Sequence, residues 1–145
     1  WARCNLKVVS LLANVLARQQ AVDAGCAEAL LIRNGFLKEG AASNIFVVRD
    51  GVLLAPPKTA FMLPGITYDI VLELAAGHGQ PVEVREIGEA ELRAADEVWM
   101  TSSTKEVLAI TTLDGAPIGG GRPGPLAGRM WQWYQDFKNS VMRTG

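Results

Sequence analysis

The sequence predicts a mixed α/β (α+β) domain in which helices pack on a mostly antiparallel or mixed sheet. Short β-prone runs flank Asn34-Gly35, Asp50-Gly51 and Asp114-Gly115, dipeptides suited to tight hairpin turns. Longer stretches at 9–24, 68–78 and 125–142 instead repeat their apolar residues at helical spacing. The 145 residues, 49% hydrophobic and 20% charged, suffice for one domain with a sizeable core.

Taken in order, residues 4–8 alternate loosely enough for a short strand. A helix follows from 9 to about 24, with Val8, Val9, Leu12, Val15 and Leu16 on one face and Gly25 as its terminator. A strand is expected over 27–33, a turn at Asn34-Gly35 and a returning strand from Phe36. Residues 45–49 and 52–55 form a hairpin across Asp50-Gly51, after which Pro56-Pro57 interrupts regular structure. The next helix spans 68–78, with Thr67 as N-cap and Ile70, Val71, Leu74 and Ala75 as its buried stripe.

Strands are then expected at 81–87, 97–100 and 107–113, with a short helix over 88–95. Glycines and prolines at 119–125 form a connector to the last helix, 125–142. In it Leu126, Met130, Trp133, Tyr134, Phe137 and Val141 recur as a core-facing stripe. Neither an internal repeat nor an interdomain linker interrupts this order.

Charge and composition narrow the function. With 14 basic and 15 acidic residues the net charge is −1, which gives no electrostatic footprint for nucleic acid. No apolar segment reaches the length of a membrane span. Cys4 and Cys26 have neither metal-ligand spacing nor the density of a disulfide scaffold, as expected in a reducing, cytoplasmic setting. His78, at a helix end among glycines, is given no catalytic role.

Four features could carry chemistry. Lys7 lies between Leu6 and Val8; desolvation there would favour a neutral, nucleophilic amine, whereas an edge-strand lysine would pack its stem and keep its head in water. Glu39 precedes Gly40-Ala41-Ala42-Ser43-Asn44, a small-residue stretch that admits close backbone approach to a ligand or simply turns the chain. Gly65-Ile66-Thr67 stands at a helix start, where free amides, a hydroxyl and the helix dipole suit a phosphate, or where Thr67 merely caps. Thr101-Ser102-Ser103-Thr104 gathers hydroxyls at a strand end, for phosphate binding or a plain turn.

In this order the four features resemble the fold-type IV pyridoxal-phosphate enzymes, along essentially the whole chain. Arg3-Cys4-Asn5-Leu6-Lys7, Glu39-Gly40 with Ser43-Asn44, Leu63-Pro64-Gly65-Ile66-Thr67 and Thr101-Ser102-Ser103 carry the likeness. The first is most similar to the D-amino-acid aminotransferase branch; branched-chain aminotransferases and aminodeoxychorismate lyases are the neighbouring alternatives. The resemblance implies the large domain of that fold, pyridoxal 5'-phosphate as cofactor, and amino-group transfer between a D-amino acid and a 2-oxo acid. It implies that Lys7 forms the Schiff base and moves the proton, that Glu39 pairs with the pyridine nitrogen, and that Ser43 and Asn44 support that side of the ring. Leu63 would pack on the ring, while Gly65, Ile66, Thr67, Ser102 and Ser103 would surround the phosphate; no metal ligand is implied.

The family's large domain follows a smaller one that contributes to the substrate pocket and to a homodimer. Only six residues precede Lys7, so residues 1–145 are expected to be the C-terminal cofactor-binding domain alone, without the small domain. Such a chain is expected to hold the cofactor weakly and turn over little, or to act only as a non-catalytic interaction module.

Overall fold

The computed structural model describes residues 5–7, 30–40, 44–57, 66–102 and 106–142. The first strands, β1 (Asn5–Lys7), β2 (Leu30–Arg33) and β3 (Phe36–Gly40), form a three-stranded sheet. β1 runs parallel to β2, and β2 turns through Asn34-Gly35 to pair antiparallel with β3. Asn34 and Gly35 both have positive φ, 53° and 83°, as a tight hairpin turn with the strands' own twist requires. The expected helix at 9–24 lies outside the described residues.

A five-stranded sheet carries the rest of the core. β4 (Asn44–Arg49) and β5 (Val52–Ala55) are the hairpin across Asp50-Gly51. β6 (Val82–Val84) adds to β5 in parallel, β7 (Glu97–Ser102) pairs antiparallel with β4, and β8 (Glu106–Ile110) pairs antiparallel with β7. The spatial order is β6-β5-β4-β7-β8. A small hairpin, β9 (Thr112–Leu113) with β10 (Ala116–Pro117), turns at Asp114-Gly115.

Three helices are described: α1 (Ile66–Gly77), α2 (Glu89–Arg93) and α3 (Pro125–Met142). Both faces of the five-stranded sheet are covered. On one face Ile45, Val47, Leu54, Val98, Met100 and Ile110 join Leu30, Ile32 and Leu37 of the smaller sheet. On the other, Phe46, Val48, Leu53 and Trp99 meet Tyr68, Val71 and Ala75 of α1 and Leu126, Met130 and Tyr134 of α3. Central strands buried on both sides have no polar face to alternate with, which is why Ile45-Phe46-Val47-Val48 is unbroken apolar sequence.

Several boundaries differ from the sequence reading. The 81–87 strand shrinks to Val82–Val84, since it is an edge strand with Val84 half exposed. The single strand over 107–113 is two, broken at Thr111, where the chain leaves the large sheet for the small hairpin. Thr67 is not the N-cap of α1; it lies inside the helix, after Ile66, and it is buried. Ile70 and Leu74 are only partly covered, while Tyr68 is fully buried, stacked on Phe46 with its hydroxyl donating to the Pro56 carbonyl at 2.6 Å. Burial raises the pKa of that phenol. His78 stacks flat on Trp133, ring centroids 4.1 Å apart, tying the end of α1 to α3.

α3 begins where a distant strand provides its cap. The buried carboxylate of Glu97, at the start of β7, accepts from the Leu126 and Ala127 amides at 3.1 and 2.9 Å. Those amides belong to the first turn of a helix and have no intrahelical acceptor. The contact needs glycine at 124, since a Cβ there would stand 2.1 Å from the Glu97 side chain.

Candidate active site

Of the candidate residues described, Asn44, Thr67 and Ser102 lie at one end of the five-stranded sheet. β3 finishes at Gly40 and β4 begins at Asn44, so three intervening residues hold Glu39 and Asn44 close along the chain. Asn44 lies directly opposite Thr101 in the β4–β7 ladder, and Thr101 lies opposite Val107 in β8. At the same end β5 runs out into Pro56, whose carbonyl accepts from Tyr68 in the first turn of α1. Thr67 is thereby brought to the end of the sheet that carries Asn44, Thr101 and Ser102.

This end gathers three of the four buried polar residues among those described. Asn44, Thr67 and Thr101 are all buried, at 5%, 5% and 1% exposure. Successive strand residues alternate faces, so Thr101 shares with Trp99 the face covered by α1 and α3. Thr101 Oγ1 and Trp99 Nε1 are buried without a hydrogen-bond partner among the described residues. A buried donor left unpaired costs about 1–3 kcal/mol, so such an atom calls for a functional account. Ser102, the next residue, is partly exposed and closes the β7–β8 hairpin opposite Glu106.

On the smaller sheet the backbone register brings Lys7 and Glu39 into adjacent rows. Lys7 is opposite Ile32, which is opposite Leu37; Leu6 is opposite Leu31, which is opposite Glu39. The ladder shifts between Leu31 and Ile32, so Lys38 is an extra residue on β3. Such bulges bend a strand and re-aim the side chains beyond them. Lys38 pairs with Glu86 at 3.7 Å and lies near the Phe36 ring. Ile66 opens α1 by its backbone. Ser43, Leu63, Gly65 and Ser103 lie outside the described residues.

The model of the amino-transferase class IV family matches residues 1–113. The chain belongs to that family. Among its class IV relatives, the D-alanine aminotransferase of Bacillus licheniformis is 44% identical over 126 residues, covering 87% of this chain and 44% of the relative. A branched-chain amino acid aminotransferase complexed with N-(5'-phosphopyridoxyl)-L-glutamate superposes with a TM-score of 0.81 at 39% identity. That alignment covers 87% of this chain and 43% of the other. The branched-chain amino acid aminotransferase from Escherichia coli gives a TM-score of 0.81 at 32% identity, over 91% of this chain and 51% of the other. The chain thus spans about half the length of the class IV relatives it matches, and its mixed sheet with packed helices is their fold.

Two structural features escaped the sequence reading. Thr101 stood out only as one member of a hydroxyl run; its burial depends on the helices laid over β7. Glu106, opposite Ser102, has a left-handed backbone with φ of 58°, which nothing in its local sequence signals.

Proposed function

We propose that this chain is the cofactor-holding part of a pyridoxal 5'-phosphate-dependent aminotransferase that moves an amino group between a D-amino acid and a 2-oxo acid. The observation that carries the proposal is the buried Thr101 hydroxyl, unpaired among the described residues, beside Ser102 at the sheet end that also holds Asn44 and the first turn of α1. A phosphate would give the Thr101 hydroxyl the acceptor it lacks among the described residues, and helix-start amides and dipole favour its charge. The residues present therefore fit the group.

When bound, the cofactor would supply an electron sink that eases removal of the substrate's α-proton. Lys7 Nζ would anchor the cofactor and move that proton. The Glu39 carboxylate would hold a proton on the pyridine nitrogen. Ser43 and Asn44 would brace the Glu39 side, and Leu63 would cover the ring and exclude water. Gly65, Ile66 and Thr67, with Ser102 and Ser103, would bind the phosphate. A homodimer in the cytoplasm, with the substrate pocket completed by the remainder of the relatives' length, is the setting this reading implies.

Borohydride reduction of the cofactor-loaded protein tests it: a pyridoxyl adduct is expected on Lys7, and an adduct elsewhere would overturn the assignment. D-Alanine, and not L-alanine, is then expected to bleach the cofactor's visible absorbance in the intact protein. The alternative reading, a branched-chain L-amino acid aminotransferase, is favoured by the identity of the solved structures it matches and expects the reverse. Identity to the D-alanine aminotransferase is higher, 44% against 39%, which supports the D-specific reading.

A further inference from the structure

We infer that Lys38 is a positioning residue: its ion pair with Glu86 holds the bulge of β3 that assigns Glu39 its row in the smaller sheet. The inference rests on the reading that Glu39 serves the cofactor's pyridine nitrogen.

β2 and β3 pair Ile32 with Leu37 and Leu31 with Glu39, which leaves Lys38 between two successive rows. Rows of a sheet alternate between its two faces, so a slip of one residue exchanges them. Leu30, Ile32 and Leu37 all belong to the buried core. In an unbulged ladder Lys38 would stand opposite Leu31, and Glu39 opposite Leu30. That is a core row, where a carboxylate would be desolvated without a partner. The extra residue instead gives Glu39 the row of Leu31 and Leu6, next to the row that holds Lys7.

Lys38 is tethered along the other edge of β3. The chain after β6 runs beside that edge: the Leu37 amide donates to the Ile87 carbonyl at 2.8 Å, and Phe36 bridges to Gly88. The Glu89 amide donates to the Gly35 carbonyl at 2.9 Å. One step further along the same pairing, Lys38 Nζ meets Glu86 Oε1 at 3.7 Å and lies 6.0 Å from the centre of the Phe36 ring. The Lys38 side chain is only 12% exposed, so the pair is shielded on the lysine side. A bulge leaves one residue unpaired in the ladder, and a tether at that residue opposes slippage into the regular register.

The test titrates the intact protein with pyridoxal 5'-phosphate and with its 1-deaza analogue, in which carbon replaces the ring nitrogen. The ratio of the two dissociation constants reads the contact to that nitrogen. The unmodified protein is expected to prefer pyridoxal 5'-phosphate by about tenfold or more, and Glu39→Gln to bring the ratio within about twofold. Lys38→Met and Glu86→Gln should each lower the ratio about threefold, whereas Lys38→Arg should retain it. In the cofactor-free protein, hydrogen exchange of the 37–40 amides should quicken in Lys38→Met, with the β4–β5 hairpin unchanged. If Lys38→Met and Glu86→Gln keep the unmodified ratio, or weaken both ligands equally, the positioning role is overturned and the Glu39 reading stands. If the unmodified protein does not distinguish the two ligands, the Glu39 reading falls and takes this inference with it.

Discussion

Thr101 presents the sharpest conflict between stability and use. Its hydroxyl is buried and unpaired among the described residues, in the same turn of ladder as buried Asn44. Thr101→Val keeps the shape and removes the polar atom. In the cofactor-free protein it should raise stability by about 1 kcal/mol, because an unpaired buried donor is lost. With cofactor present the sign should reverse, as one proposed contact near the phosphate disappears. Denaturant unfolding with and without pyridoxal 5'-phosphate checks both halves; a variant destabilised in both states would show that the hydroxyl serves the fold alone. The sequence marked 101–104 as a run of hydroxyls, but ranking Thr101 above its neighbours required knowing which face of β7 the helices cover.

Among single elements, α3 depends on a residue far from it in sequence. Glu97 caps its first turn across the Gly124 gap, so Glu97→Ala should cost about 2 kcal/mol by stranding two buried amides. Gly124→Ala should also destabilise, because its Cβ would stand 2.1 Å from the Glu97 side chain. In the Glu97→Ala background the same glycine substitution should cost little, since the obstruction is gone. Chemical denaturation of the two single variants and the double variant gives the coupling directly; additive losses would contradict the contact.

A second element, the short edge strand β6, is tied to α2 by Arg85, whose guanidinium pairs with both oxygens of Glu91 at 2.7 and 2.8 Å. The Arg85 hydrogen bonds hold the Glu91 carboxyl below the ordinary glutamate range. A depressed acid binds fewer protons folded than unfolded, so its contribution is present above the unfolded pKa, about 4.3, and fades as pH falls below it. Arg85→Met should therefore be most destabilising near neutral pH, with its deficit narrowing towards pH 3 by about the lost shift. Thermal melts across that range measure it; a deficit independent of pH would mean the pair adds packing and no charge stabilisation.

For the whole molecule, the chain covers 44% of the Bacillus licheniformis D-alanine aminotransferase it resembles. Its two-sided core is nonetheless extensive, with the five-stranded sheet buried between the smaller sheet and the helices. The 145-residue chain should therefore fold cooperatively, yet bind pyridoxal 5'-phosphate weakly and transaminate D-alanine slowly. Circular dichroism on unfolding and a coupled assay for pyruvate formation test these points; vigorous turnover would show that the site needs nothing beyond these residues.

Local chemistry determined much of this protein in advance. Asn-Gly and Asp-Gly pairs demand positive φ and placed three turns, and the apolar stripe from Leu126 to Tyr134 defined α3 within its observed ends. The spaced motifs around Lys7, Glu39, Thr67 and Ser102 were equally legible, because each depends on residue type and order along the chain. What tertiary structure alone decided were relations between distant segments: the Thr101 hydroxyl buried on the sheet face that α1 and α3 cover, Glu97 capping a helix 29 residues on, and the Glu106 carboxylate meeting Lys138 and Gln135 of α3. Those depend on which surfaces meet when two faces of one sheet are buried at once, and that choice is made by the energy of the packed whole.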